Sequence, residues 1–297
     1  MPTNPSVNFI TSYSSIVHHE FQQMVSKLFP YVTLEKLKGA QQAIEGLGGV
    51  KARKIDGRFQ PVVFNEIDHM RRKLSRNEYS IALPIADKDA LGMEIDQQTH
   101  YAKATVAGMQ RTVDKVIYEA AFATVYTGAN FETSVTYLND GVQQVDATSG
   151  LTYEKLLEIK KNFVDRDVDV DMNEFCIAYT GDEDEALMKE TELTSGDFSR
   201  QYVIDKGFLA RALIFDLKTF AGDPGVDDPI IQLNSSGERR CLAFVKGGIA
   251  LGINREMEVL FEKRTDLNGT WQLVSNMFIG AVRRQGNVVQ EILTTPA

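Results

Sequence analysis

The sequence predicts an α+β fold organised around one long helix, and three observations carry that prediction. Over 97–126 no proline interrupts the chain, and Ala102, Val106, Met109, Val113, Val116, Ile117 and Ala120 recur at steps of three and four, which lays down one apolar stripe. Elsewhere the period falls to two: in EYSIALPIA (78–86) Tyr79, Ile81, Leu83 and Ile85 alternate with smaller residues, a strand signal. Finally, 43% hydrophobic and 25% charged residues in a chain of 297 permit a real core and exclude a disordered class.

The elements follow in chain order. Residues 1–49 read as an arm that mixes aromatic and polar positions (Phe9, Tyr13, Phe21, Phe29, Tyr31), with Phe21, Met24, Val25 and Leu28 at the spacing of a short amphipathic helix. His18 and His19 are adjacent and would point in different directions, so they read as ordinary polar residues. Residues 50–92 read as an extended ribbon whose strands are RFQPVVF (58–64) and EYSIALPIA, joined by the basic HMRRKLSRN (69–77). Pro61 cannot donate to a ladder, which makes the first strand an edge, and a two-stranded ribbon of this kind needs a partner surface.

The long helix of 97–126 is expected to start on Asp96 and end before Gly128, and would extend on the order of 45 Å. A turn-rich stretch follows, with Asn139, Asp140 and Gly141 as a hairpin signal. Thr152 is placed to cap a second helix, with Leu151 and Leu156 as its hydrophobic staple and Leu156, Ile159 and Phe163 on one face. A strand at 175–179 leads through Thr180 and Gly181 into a short helix at 182–190 whose first turn is acidic. The remainder reads as strands (LARALIFDL, EMEVLFEKR, WQLVSNMFIGAVRR, NVVQEIL), with Met257, Val259 and Phe261 on one side of the second and a short helix expected in FVKGGIALG.

Catalytic chemistry finds no support. Cys176 and Cys241 each lie in an apolar run and read as buried thiols. The run Asp165, Asp167, Asp169, Asp171 starts like a calcium loop but has Val170 where glycine is needed and Cys176 where a bidentate glutamate belongs. Gly247, Gly248 and Gly252 make neither a dinucleotide nor a phosphate loop, the four histidines show no ligand spacing, and no nucleophile elbow occurs. No catalytic, cofactor or metal residue is therefore assigned. The N-terminus lacks a secretory pattern and no apolar run reaches membrane-spanning length, so a cytosolic, non-membrane protein is expected.

The net charge of −9 disfavours a dedicated nucleic-acid binder, but its distribution is lopsided. Over 51–76 there are eight basic residues against three acidic ones; over 165–200 there are twelve acidic residues against three basic ones. Two solvated faces that differ are the plainer reading. The sharper one is that the basic segment of one copy meets the acidic segment of another, as in a head-to-tail contact. The contact candidates are then Arg58, Arg71, Arg72, Lys73 and Arg76 on one side and Asp182, Glu183, Asp184 and Glu185 on the other.

The order of arm, ribbon, long helix, small α/β part and strand-rich end resembles the Hong Kong 97 fold of tailed-phage major capsid proteins. The resemblance extends to FNEIDHMRRKLSRNEYSIALPIADKDALGMEID (64–96) followed by AGMQRTVDKVIYEAAFATVYTG, with Arg111 and Asp114 one turn apart. It continues in FVKGGIALGINREMEVLFEKR (244–264) and SNMFIGAVRRQGNVVQEILT (275–294), whose final strands carry Gly-Ala-x-Arg and Val-Val. Arg111 and Asp114 most simply pair on the helix surface, with a role in subunit contact as the sharper alternative.

The resemblance implies a peripheral domain at 93–150 with the spine helix, an axial domain at 151–240, and C-terminal strands at 241–297 that complete both. It implies a non-enzymatic subunit that assembles with itself into pentamers and hexamers of an icosahedral head around double-stranded DNA, in the host cytoplasm. Only about fifty residues precede the ribbon, which implies a separate scaffolding protein; a portal and a decoration protein are the further partners. Lys73 and Asn287 are available for a crosslink, and none is assigned. An encapsulin-like nanocompartment shares the fold and is the alternative, followed by a soluble α+β enzyme, against which the exposed ribbon argues.

Overall fold

In the computed structural model, residues 23, 25–54, 64–85, 97–147, 150–190, 211–222, 229–266 and 270–295 are described. The apolar stripe folds as helix α1 (Gln97–Phe122), about 39 Å long. It buries Met109, Val113, Val116, Ile117 and Ala120 in the largest core cluster. The helix stops short of Tyr126 because Val125–Thr127, an aromatic between two β-branched residues, form strand β5. Gly128, at φ +99°, therefore turns the chain between β5 and β6 (Thr133–Val135) and is not the helix cap. Asp96 lies outside the described residues.

Strands β1 (Thr33–Lys36), β4 (Asn77–Ile85), β12 (Ile249–Lys263) and β13 (Trp271–Arg283) form a four-stranded sheet in the order β1-β12-β13-β4, on which α1 packs. A six-stranded sheet has the order β7-β14-β11-β8-β10-β9, from β7 (Gln143–Ala147), β8 (Phe175–Tyr179), β9 (Arg211–Ala212), β10 (Phe215–Thr219), β11 (Arg239–Val245) and β14 (Val289–Thr294). It is covered on both faces: Cys176, Ala178, Leu242 and Phe244 face the α1 core, while Phe175, Ile177, Tyr179, Cys241 and Ala243 face a second core with Leu156, Ile159, Phe163 and Leu187. That double burial explains why FCIAY is apolar throughout instead of alternating. Helices α2 (Tyr153–Val164) and α3 (Gly181–Lys189) supply the second core, and Thr152 caps α2 by accepting from Lys155 N. At α3, Thr180 and Glu183 form a capping box.

The third sheet, β2-β3-β5-β6, contains β2 (Gln41–Leu47) and β3 (His69–Ser75) as an antiparallel ribbon in register from Gln41↔Ser75 to Leu47↔His69. This corrects the sequence reading in two ways. The basic stretch expected as the ribbon tip is itself strand β3, and β4 pairs with β13 in the body of the subunit; of its expected partner 58–64, all but Phe64 lies outside the described residues. The strand was hidden because its two fully inward positions are Arg72 and Leu74, so a charge occupies one point of the period-two pattern. Residues 33–47, read as arm, also form strands, and only a 3-10 turn at Phe29–Tyr31 precedes them among the described residues; Phe21 and Met24 of the expected helix lie outside these.

Two smaller expectations also change. FVKGGIALG is not helical: β11 ends at Val245, Gly247 turns at φ +80°, and β12 begins at Ile249. Gly248 sits where a Cβ would lie 2.8 Å from Val288 Cγ2, so this turn tolerates no side chain. Asn139, Asp140 and Gly141 form a turn but not a hairpin, since β7 runs parallel to β14.

Candidate assembly surface

The foot of the ribbon is locked into the body. Gly252 of β12 and Gly280 of β13 are cross-strand partners and together leave a notch. A Cβ on Gly280 would stand 1.8 Å from Ser75 O, and one on Gly252 would stand 2.6 Å from Leu74 Cδ2. Leu74 is fully buried there with Leu37, Ile44, Val125, Ala250 and Val282. Beside it Arg72 grips Asp140 in bidentate fashion at 2.6 and 2.7 Å, and Arg283 Nε donates to the same carboxylate at 2.7 Å. Arg283 is wholly buried, and its Nη1 donates to Ala121 O (2.5 Å) and Ala123 O (3.3 Å), closing the C-terminus of α1. Burial lowers the pKa of Arg283, opposed by Asp140. The spine helix and the ribbon foot thus share one ionic knot.

Beyond the foot the described residues of the ribbon are largely exposed. Gly48 N donates to Asp68 O, holding its two legs together, while Leu47 (65% exposed), Val50, Phe64 (88% exposed), Ile67 and Met70 stand in solvent. Basic groups accompany them: Lys51, Arg53 and Lys54 are exposed, and Arg71 makes an exposed pair with Glu45 at 2.9 Å. Exposed apolar side chains among basic ones make this surface the candidate for a subunit contact.

Among the residues the sequence picks out as contacts, the structure separates inside from outside. Arg72, Asp114 and Glu183 are buried and engaged within the subunit. Asp114 does not pair with Arg111; it accepts from Ser26 Oγ, Lys27 N, Leu28 N and Gln23 Nε2, while Arg111 Nη1 donates to Gln23 O. Glu183 accepts from Thr180 and from Thr294 Oγ1, tying α3 to β14. Lys73 lies 5.7 Å from the Tyr126 ring, and Arg76 bonds Asn254 and lies over Phe278. Asp182 pairs with Arg239, Asp184 accepts from Tyr179 Oη and Glu185 pairs with Lys189, and these three leave a partly exposed acidic helix start. Arg58 lies outside the described residues.

The aspartate run is exposed after α2, and Asp169 Oδ1 accepts from Asp171 N and Met172 N, so its carboxylate shapes the loop. No group of three His, Cys, Asp or Glu side chains suited to a metal ion occurs among the described residues. No described helix is long and apolar enough to cross a membrane. Both cysteines are buried and unbridged, and burial pushes both thiols up. Asp140, Arg283 and the paired glycines escaped the sequence reading of the site. Their signals were present as the Asn-Asp-Gly turn and the Gly-Ala-x-Arg strand, but nothing in the sequence joins them to Arg72.

The model of a phage capsid protein family matches residues 6–295. No curated protein matches the chain. Among solved structures, the capsid of Ralstonia phage GP4 is similar with a TM-score of 0.70 at 10% identity, covering 97% of this chain and 95% of that one. The capsid asymmetric unit of cyanophage Pam1 gives 0.69 at 14% identity, covering 97% of each chain. The capsid of Helicobacter pylori bacteriophage KHP30 gives 0.70 at 9% identity, covering 100% of this chain and 99% of that one.

Proposed function

Since the chain belongs to the phage capsid protein family, we propose that its copies assemble as pentamers and hexamers into an icosahedral head that encloses double-stranded DNA. The chain is a structural subunit and not an enzyme. The observation that carries the assembly reading is the ribbon: its foot is fixed in the subunit by Arg72, Leu74 and the glycine notch, whereas Leu47, Val50, Phe64, Ile67 and Met70 remain exposed. A docked neighbour removes that apolar surface from water. Its basic residues Lys51, Arg53 and Arg71 suit acidic surface on another copy, of which the chain offers two separate stretches, Asp165, Asp167, Asp169 and Asp171 before β8 and Asp182, Asp184 and Glu185 after it.

The division into a peripheral part around α1 and its sheet and an axial part around α2, α3 and the six-stranded sheet belongs to this reading. So do a separate scaffolding protein, a portal, a decoration protein, non-specific contact with packaged DNA, and assembly in the host cytoplasm. Shortening the ribbon tests it. Residues 48 and 68 face each other, so a tight turn can replace the stretch between them. The expected product melts cooperatively and forms no rings or shells; shells from the shortened chain would contradict the reading.

A further inference from the structure

The residues just before β1 tie together two layers of the molecule. Asp114, fully buried in the middle of α1, accepts at Oδ1 from Ser26 Oγ (2.5 Å) and Leu28 N (2.9 Å), and at Oδ2 from Lys27 N (3.0 Å) and Gln23 Nε2. Aspartate is a poor residue for a helix interior, and here it acts as a cap for a different segment of chain. The same segment reaches β10 at its other end. Lys27 Nζ donates to Thr219 O (2.5 Å) and lies 5.1 Å from the Phe220 ring; Tyr31 Oη donates to Asp216 Oδ2 (3.0 Å), with Lys218 5.7 Å from the Tyr31 ring. Burial lowers the pKa of Lys27, with Asp114 opposing that shift, and raises the pKa of Tyr31.

Helix α1 rests on the four-stranded sheet, whereas β10 belongs to the six-stranded one. Between the two layers lie apolar contacts, Met109, Val113, Val116 and Ile117 against Cys176, Ala178 and Phe244, and at the C-terminal end of α1 a second polar link, in which Tyr118 Oη donates to Arg240 O (2.6 Å) and Arg240 lies over the Phe122 ring. Apolar contact is non-directional and fixes an angle poorly, while hydrogen bonds to one carboxylate and one strand fix it well.

We propose that segment 25–31 is a strap that sets the angle between the α1 layer and the six-stranded sheet, and through it the curvature at which copies close into a shell. The inference rests on the assembly reading above. Two variants release the strap from opposite ends: Asp114→Asn at α1, and Lys27→Met with Tyr31→Phe at β10. Each full-length variant is compared with the wild type by thermal melting and by the distribution of shell diameters in negative-stain micrographs. The expected result is one diameter for the wild type, and mixed diameters or open sheets for both variants with a cooperative melt retained. If Asp114→Asn fails to fold, the β10-end pair decides alone, since it removes one ammonium and one hydroxyl and keeps the apolar bodies of both side chains. Wild-type diameters from the β10-end pair, or from a folded Asp114→Asn, overturn the strap. A wild type that forms no shell in any condition removes the assembly reading itself.

Discussion

Asp140 joins two arginines from separate strands at the ribbon foot. It lies between two buried guanidiniums, those of Arg72 and Arg283, with its own side chain 8% exposed. Removing the carboxylate leaves both buried cations without their counter-charge, so Asp140→Ala is expected to cost about 3–5 kcal/mol of stability in urea unfolding. A loss under about 1 kcal/mol, typical of exposed pairs, would show that the knot is wet. Cys176 and Cys241 offer a gentler probe. Burial holds both as protonated thiols, and the thiolate is the nucleophile, so neither is expected to react with a thiol reagent until the chain unfolds. Modification of the folded protein at neutral pH would contradict the two-faced burial of the six-stranded sheet.

The elements with clean periodicity were legible in the sequence. Helix α1, the capped helix α2, strand β8 and helix α3 follow from apolar spacing and cap chemistry that reside within each segment. Elements that depend on distant residues were not. Strand β3 hid behind Arg72, because a buried arginine reads as surface until Asp140 and Arg283 are seen to receive it. Strand β12 was half misread because its Gly-Gly start serves a tight turn packed on Val288. The same dependence on tertiary fit yields a prediction at Gly280. An alanine methyl there meets Ser75 O at a distance no real contact reaches, so Gly280→Ala is expected to shift the ribbon foot and cost about 1–3 kcal/mol. By contrast, Thr152→Ala removes a single cap bond and is expected to cost about 1 kcal/mol by the same unfolding measurement.

At the scale of the whole molecule, the foot of the ribbon is fixed in the subunit while Leu47, Val50, Phe64 and Ile67, among the described residues, stand exposed. A subunit built this way is completed by a neighbour. Because the ribbon is basic and the stretch 165–190 acidic, raising the salt concentration is expected to slow association, as followed by light scattering; a salt-independent rate would point to apolar contact alone. The candidate site was legible as a charge asymmetry but not in its details, since burial, which decides between Arg71 and Arg72 or between Asp182 and Glu183, is a property of the fold. The most direct test is negative-stain electron microscopy, with size-exclusion chromatography, of the full chain expressed alone and with a candidate scaffolding protein. Closed shells, tubes or five- and six-fold rings are expected; a monodisperse monomer or dimer under every condition would contradict self-assembly.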